Sequence, residues 1–161
     1  MINLRFNSIA GKLSFDDIPL EIDTEEGFCN SKLYELLINR GCIKSNIPHS
    51  YLVDLATFYD KEFEVSLNPI CFGFPFRVQL VDKNSQYFRS LTDWDARTDI
   101  DMLNESVKNL SDWLKKSLSL GDPDIKETEM VRWIFDWGRV SVSYETRSFD
   151  HGIYIVWNVT E

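Results

Sequence analysis

The chain has 161 residues, of which 43% are hydrophobic and 14% aromatic, enough for one domain with a sizeable core. Its 26 Asp and Glu against 17 Lys and Arg leave a net charge of −9, which disfavours tracking of nucleic-acid phosphates and attachment to anionic membranes. Three widely spaced cysteines (Cys29, Cys42, Cys71), no apolar start of signal-peptide type and no run of about 20 apolar residues predict a cytoplasmic protein with reduced thiols.

Ile2, Leu4 and Phe6 alternate with Asn3, Arg5 and Asn7, the period-two pattern of a half-buried strand, and Leu13 and Phe15 begin a second one. The stretch that follows holds Asp16, Asp17, Glu21, Asp23, Glu25 and Glu26 with no cation, and Pro19 keeps it out of the centre of a sheet. A helix is expected next, with Asn30 or Ser31 as its cap, Leu33, Leu36, Leu37 and Ile38 as its apolar side, and Gly41 as its left-handed end. Pro48 suits the first turn of a second helix carrying Leu52, Leu55, Ala56 and Tyr59 at helical spacing, so that residues 31–60 read as an αα-hairpin. Phe63, Val65 and Leu67 then alternate with polar residues. Ile70, Phe72, Phe74, Phe76, Val78 and Leu80 alternate over eleven residues, with Pro75 marking an edge or a bulge. The long amphipathic helix is placed at about residues 99–120, where Ile100, Leu103, Val107, Leu110, Leu114 and Leu118 form one stripe between Asp99 and Gly121. Three terminal strands follow, through Val131 and Trp133, Val140 and Val142, and Ile153 to Val159, with residues 147–152 as a loop. The order predicts an α+β domain: an antiparallel sheet of about six to eight strands with the αα-hairpin and one long helix packed on it.

No residue set with recognised catalytic, cofactor or metal spacing emerges. His49 and His151 lack a Cys, His or carboxylate at ligand spacing, and His151 is expected in a surface turn. The scattered glycines build no phosphate-cradling loop, and there is no Gly-x-Ser-x-Gly elbow. A DNA-reading helix in residues 31–60 is rejected because Asp54, Asp60 and Glu62 outweigh Lys61. Asp93, Asp95, Asp99 and Asp101 are four acids in nine residues, chemistry suited to a hard cation. They lack the glycine and glutamate of an EF-hand loop, and Asp99 and Asp101 fit the positive start of the long helix better. Trp94 between two aspartates has the composition of a protein-binding patch, an aromatic anchor ringed by steering charges.

The net charge, together with Trp133-Ile134-Phe135-Asp136-Trp137-Gly138 and Gly152-Ile153-Tyr154-Ile155-Val156-Trp157 in a terminal meander, resembles the immunity proteins of bacterial toxin–immunity systems, including contact-dependent inhibition. The resemblance implies a non-enzymatic protein without cofactor or metal that binds a basic partner, a cognate nuclease-type toxin domain. The partner surface is then expected at Asp93, Trp94, Asp95, Asp99 and Asp101, and secondly at Asp16, Asp17, Glu21 and Asp23. The alternatives from other classes are a phage or mobile-element protein that mimics DNA charge, and a small-molecule-binding domain or enzyme with a pocket between sheet and helix.

Overall fold

Alternation is obeyed from the first strand. In β1 (Ile2–Asn7) Ile2, Leu4 and Phe6 are buried while Asn3, Arg5 and Asn7 face water. The computed structural model describes residues 1–45, 47–85, 99–145, 147 and 150–159. A turn whose backbone N–H groups at Ile9 and Ala10 donate to Asn7 Oδ1 leads into β2 (Lys12–Phe15), and Asp16 and Asp17, both left-handed (φ 49° and 67°), turn the chain into the two-residue β3 (Ile18–Pro19).

Two short helices follow. Thr24 caps α1 (Glu25–Cys29) by accepting from Gly27 N, and Ser31 caps α2 (Lys32–Asn39) by accepting from Tyr34 N. Gly41 (φ 64°) ends α2, with Gly41 N donating to Ile38 O and Cys42 N to Leu37 O, the paired bonds of a Schellman cap. The expected second helix of a hairpin is absent. After β4 (Ile43–Ser45), the residues given to it form the strand β5 (Tyr51–Phe58). A register shift between Val53 and Ala56 spaces the buried residues Val53, Ala56 and Phe58 by three and then two, so a bulged strand carries part of a helical rhythm.

β6 (Lys61–Asn68) keeps strict alternation, but the expected eleven-residue strand after it is shorter. Only β7 (Arg77–Asp82) belongs to the sheet ladder, and residues 71–74 fold into a tight turn. The long helix α3 (Ile100–Ser117) starts at Asp99, whose side chain accepts from Met102 N, and ends with Ser119 in the left-handed position (φ 53°) rather than at Gly121. Four strands close the described chain: β8 (Ile125–Lys126), β9 (Met130–Phe135), β10 (Gly138–Tyr144) and β11 (His151–Trp157).

The eleven strands among the described residues form one sheet in the order β3-β2-β1-β5-β6-β7-β11-β10-β9-β8, more than the six to eight expected from the order of periodic segments, with β4 sharing an edge of β5 with β1. Among the described residues every strand pairing is antiparallel except β1 on β5. The fold is thus mixed α and β, dominated by one large sheet. Four strands separate β1 from β10, so a flat sheet would hold them about 24 Å apart. Instead Trp137 Nε1 donates to Ser8 O at 2.7 Å, and Trp157 Nε1 donates to Gly11 O at 2.6 Å. The sheet is therefore rolled until its β1–β2 turn meets its β9–β10 turn. Phe28 of α1, Leu33 and Leu37 of α2, and Leu103, Val107 and Leu114 of α3 join the inward residues of the strands in one continuous core. No helix among the described residues is long and apolar enough to cross a membrane.

His151 corrects another expectation. It opens β11 at 2% exposure instead of sitting in a surface turn, and burial pushes its pKa down to about 4.

Candidate functional site

The residues singled out from sequence divide into four groups. Asp93, Trp94 and Asp95 lie outside the described residues. Asp99 and Asp101 occupy the cap and first turn of α3, where they satisfy the helix start. Asp16 and Asp17 come together on the β2–β3 turn. There Asp16 accepts from Asn3 N and pairs with Arg40, while Asp17 pairs with Arg5 at 3.1 Å. The Asn3 N–H and the Arg40 guanidinium hold the Asp16 carboxyl below its ordinary pKa. Glu21 and Asp23 are exposed between β3 and α1. Among the described residues no group of three or more His, Cys, Asp or Glu is placed to hold a metal ion.

Another region draws together chemistry that no local motif announces. Cys71 and Phe74 bridge each other, with Phe74 N donating to Cys71 O at 2.9 Å, and the two residues between them are both left-handed: Phe72 (φ 51°) and Gly73 (φ 83°). This is the backbone of a type I′ hairpin turn, which favours Asn or Gly at its first central position. Phenylalanine there is held against its conformational preference, and it is 89% exposed; Phe74 is 73% exposed. Behind the turn lies a cleft of about 510 Å³ lined by His49, Asn68, Pro75, Arg77, Arg139 and Val156, among others.

Strand register explains the cationic side of this cleft. Arg77 of β7 and Arg139 of β10 both pair with Val156 of β11, so the three side chains share one row on the sheet face away from the helices. The next row brings Gln79, Tyr154 and Ser141 side by side. Gln79 Nε2 donates to Tyr154 OH, and the Arg77 guanidinium lies 5.2 Å from the Tyr154 ring centroid.

At the other side, His49 is also left-handed (φ 65°) and its ring meets Phe72 edge-on, with centroids 5.9 Å apart. His49 Nδ1 lies 2.6 Å from Glu25 Oε2, Tyr51 OH donates to Glu25 Oε1 at 2.8 Å, and Tyr51 OH lies 3.2 Å from Cys29 Sγ. The bonds from His49 and Tyr51 lower the Glu25 pKa; burial, then Cys29 and Glu25, raise that of the Tyr51 phenol. The first turn of α1 therefore orients the histidine at the mouth of the cleft. Sequence spacing hid all of this, since Arg77, Arg139 and Val156 meet only through strand pairing and His49 meets Phe72 only through the packing of two loops. The one local signal was Gly73 and Pro75 inside an otherwise alternating run, which mark a turn. No family model, curated protein or solved structure matches the chain.

Proposed function

We propose that the chain acts by binding another protein, as an immunity-type inhibitor that neutralises a basic partner such as a nuclease toxin domain. The observation that carries this reading is the 71–74 turn. Two phenylalanines stand in solvent on a turn whose first central residue is in a disfavoured conformation. Covering such side chains yields about 1.5–3 kcal/mol each, and aromatic anchors of this kind dominate interface energetics. The net charge of −9 would steer a basic partner to the surface. Asp93, Trp94, Asp95, Asp99 and Asp101 are proposed first to face the partner, and Glu21, Asp23 and the ion-paired Asp16 and Asp17 supply the second set of carboxylates for that approach.

The test is kinetic, with the product of the neighbouring reading frame as the first partner to try. Its association rate is expected to fall steeply between low and physiological salt, and Phe72→Ala with Phe74→Ala is expected to raise the dissociation rate at least tenfold. A salt-independent association rate removes the basic partner from the proposal. An unchanged dissociation rate removes the turn.

A further inference from the structure

We infer that the cleft behind the 71–74 turn binds a small anionic ligand, a carboxylate or phosphate carried on a flat apolar body, with Arg77 and Arg139 holding the anion and Phe72 and Phe74 flanking the body. This goes beyond the protein-binding reading, since such a ligand needs no protein partner.

Charge distribution is the first support. The chain carries 26 Asp and Glu, yet the outward row that contains the two arginines (Asn68, Arg77, Val156, Arg139 and Ile134) and the row beside it (Ser66, Gln79, Tyr154, Ser141 and a third arginine, Arg132) hold none. The ion pairs among the described residues engage Arg5, Arg40, His49, Lys61 and Lys115, and neither Arg77 nor Arg139. An acidic protein has thus placed two guanidinium groups in one row with neither engaged in an ion pair among the described residues.

Geometry is the second. Two strand spacings separate the Cα atoms of Arg77 and Arg139, about 10 Å, with Val156 as an apolar floor between them. Side chains as long as arginine reach inward over that distance and offer forked donors to one planar anion. The Glu25 carboxylate approaches this side through His49, and both its oxygens are engaged, one by His49 and one by Tyr51. The cleft, at about 510 Å³, falls within the range of small-molecule sites. Exposed aromatic rings at its mouth suit a flat apolar group better than a bare ion.

Calorimetric titration and thermal shift of the full chain, with benzoate and phenyl phosphate as probes and benzyl alcohol and inorganic phosphate as comparators, test the inference. Saturable binding of at least one charged aromatic probe is expected, with benzyl alcohol and inorganic phosphate each at least tenfold weaker. Arg139→Gln and Arg77→Gln are each expected to weaken the charged probe about tenfold, while Arg5→Gln, in β1 beside the β2–β3 turn, leaves it unchanged. Arg77 is exposed, so its variant retains the fold and serves if Arg139→Gln lowers the melting temperature of the free protein. Absence of binding by both charged probes overturns the site. Equal binding of benzyl alcohol or an undiminished affinity in the Arg77→Gln, Arg139→Gln double variant removes the arginines, and equal binding of inorganic phosphate removes the apolar body.

Discussion

The seam that closes the sheet and the cleft that opens on its outer face use similar materials to opposite ends. Each has a left-handed residue in a tight turn with aromatic rings around it. At the seam that residue is Gly11 (φ 67°), and Trp137 lies so close that a Cβ would fall 2.3 Å from its ring. Phe6 and Phe135 pack on Trp137, and both tryptophan N–H groups donate to backbone oxygens of the β1–β2 turn. At the cleft the left-handed residue is Phe72 itself, and its ring stands in water. Where aromatics serve stability, glycine takes the strained position and the rings are covered. At the cleft a phenylalanine takes the strained position, and its ring is 89% exposed with His49 edge-on against it, a conformational cost that the proposed binding role accounts for.

The contrast can be broken most severely at the seam. Gly11→Ala adds both a clash with Trp137 and a left-handed alanine, and is expected to cost about 3–4 kcal/mol in urea denaturation; a loss below 1 kcal/mol would mean that the two turns are not locked together. Acid should weaken the sheet interior next. His151 has a folded pKa near 4 against about 6.5 unfolded, so its neutral form is the one the fold prefers. That contribution, about 3 kcal/mol, is complete above pH 6.5 and is lost as pH falls through 4. Denaturation at several pH values should show a shallower acid slope in His151→Phe than in the parent, and identical slopes would contradict the assignment. At the cleft the sign reverses: Phe72→Asn is expected to stabilise the fold by about 0.5–1 kcal/mol, because asparagine tolerates the turn conformation, while weakening whatever binds there. If it destabilises, the exposed ring is packing after all. The smallest effect belongs to Ser119, left-handed at the end of α3. Ser119→Gly should add up to about 1 kcal/mol to thermal stability with binding untouched.

Much of the frame was legible in the sequence because it is locally written. Strict alternation identified β1 and β6, and Ser31, Gly41 and Asp99 announce helix ends through hydrogen bonds to neighbours three or four residues away. The failures have local causes as well. The bulge at Val53 and Ala56 broke the period of β5 and let Leu52, Leu55, Ala56 and Tyr59 pass for a helical face, although β-branched Val53 and Thr57 favour a strand. The run from Ile70 to Leu80 kept its alternation through a turn, so periodicity hid what Gly73 and Pro75 were signalling. The cleft was invisible for another reason: Arg77 and Arg139 are placed side by side by register against Val156, a relation set by global pairing rather than by sequence distance.

The position of β11 has a consequence for how the molecule is made. Last of the described strands, it lies in the middle of the sheet between β7 and β10, and Trp157 at its end fastens the β1–β2 turn. A nascent chain lacking residues 151–157 therefore holds two half-sheets with open edges and no closure between them. Such exposed edges invite pairing with other chains, and closure across most of the chain length is slow. Emergence of residues 151–157, rather than of any earlier segment, should be the moment at which the fold becomes cooperative.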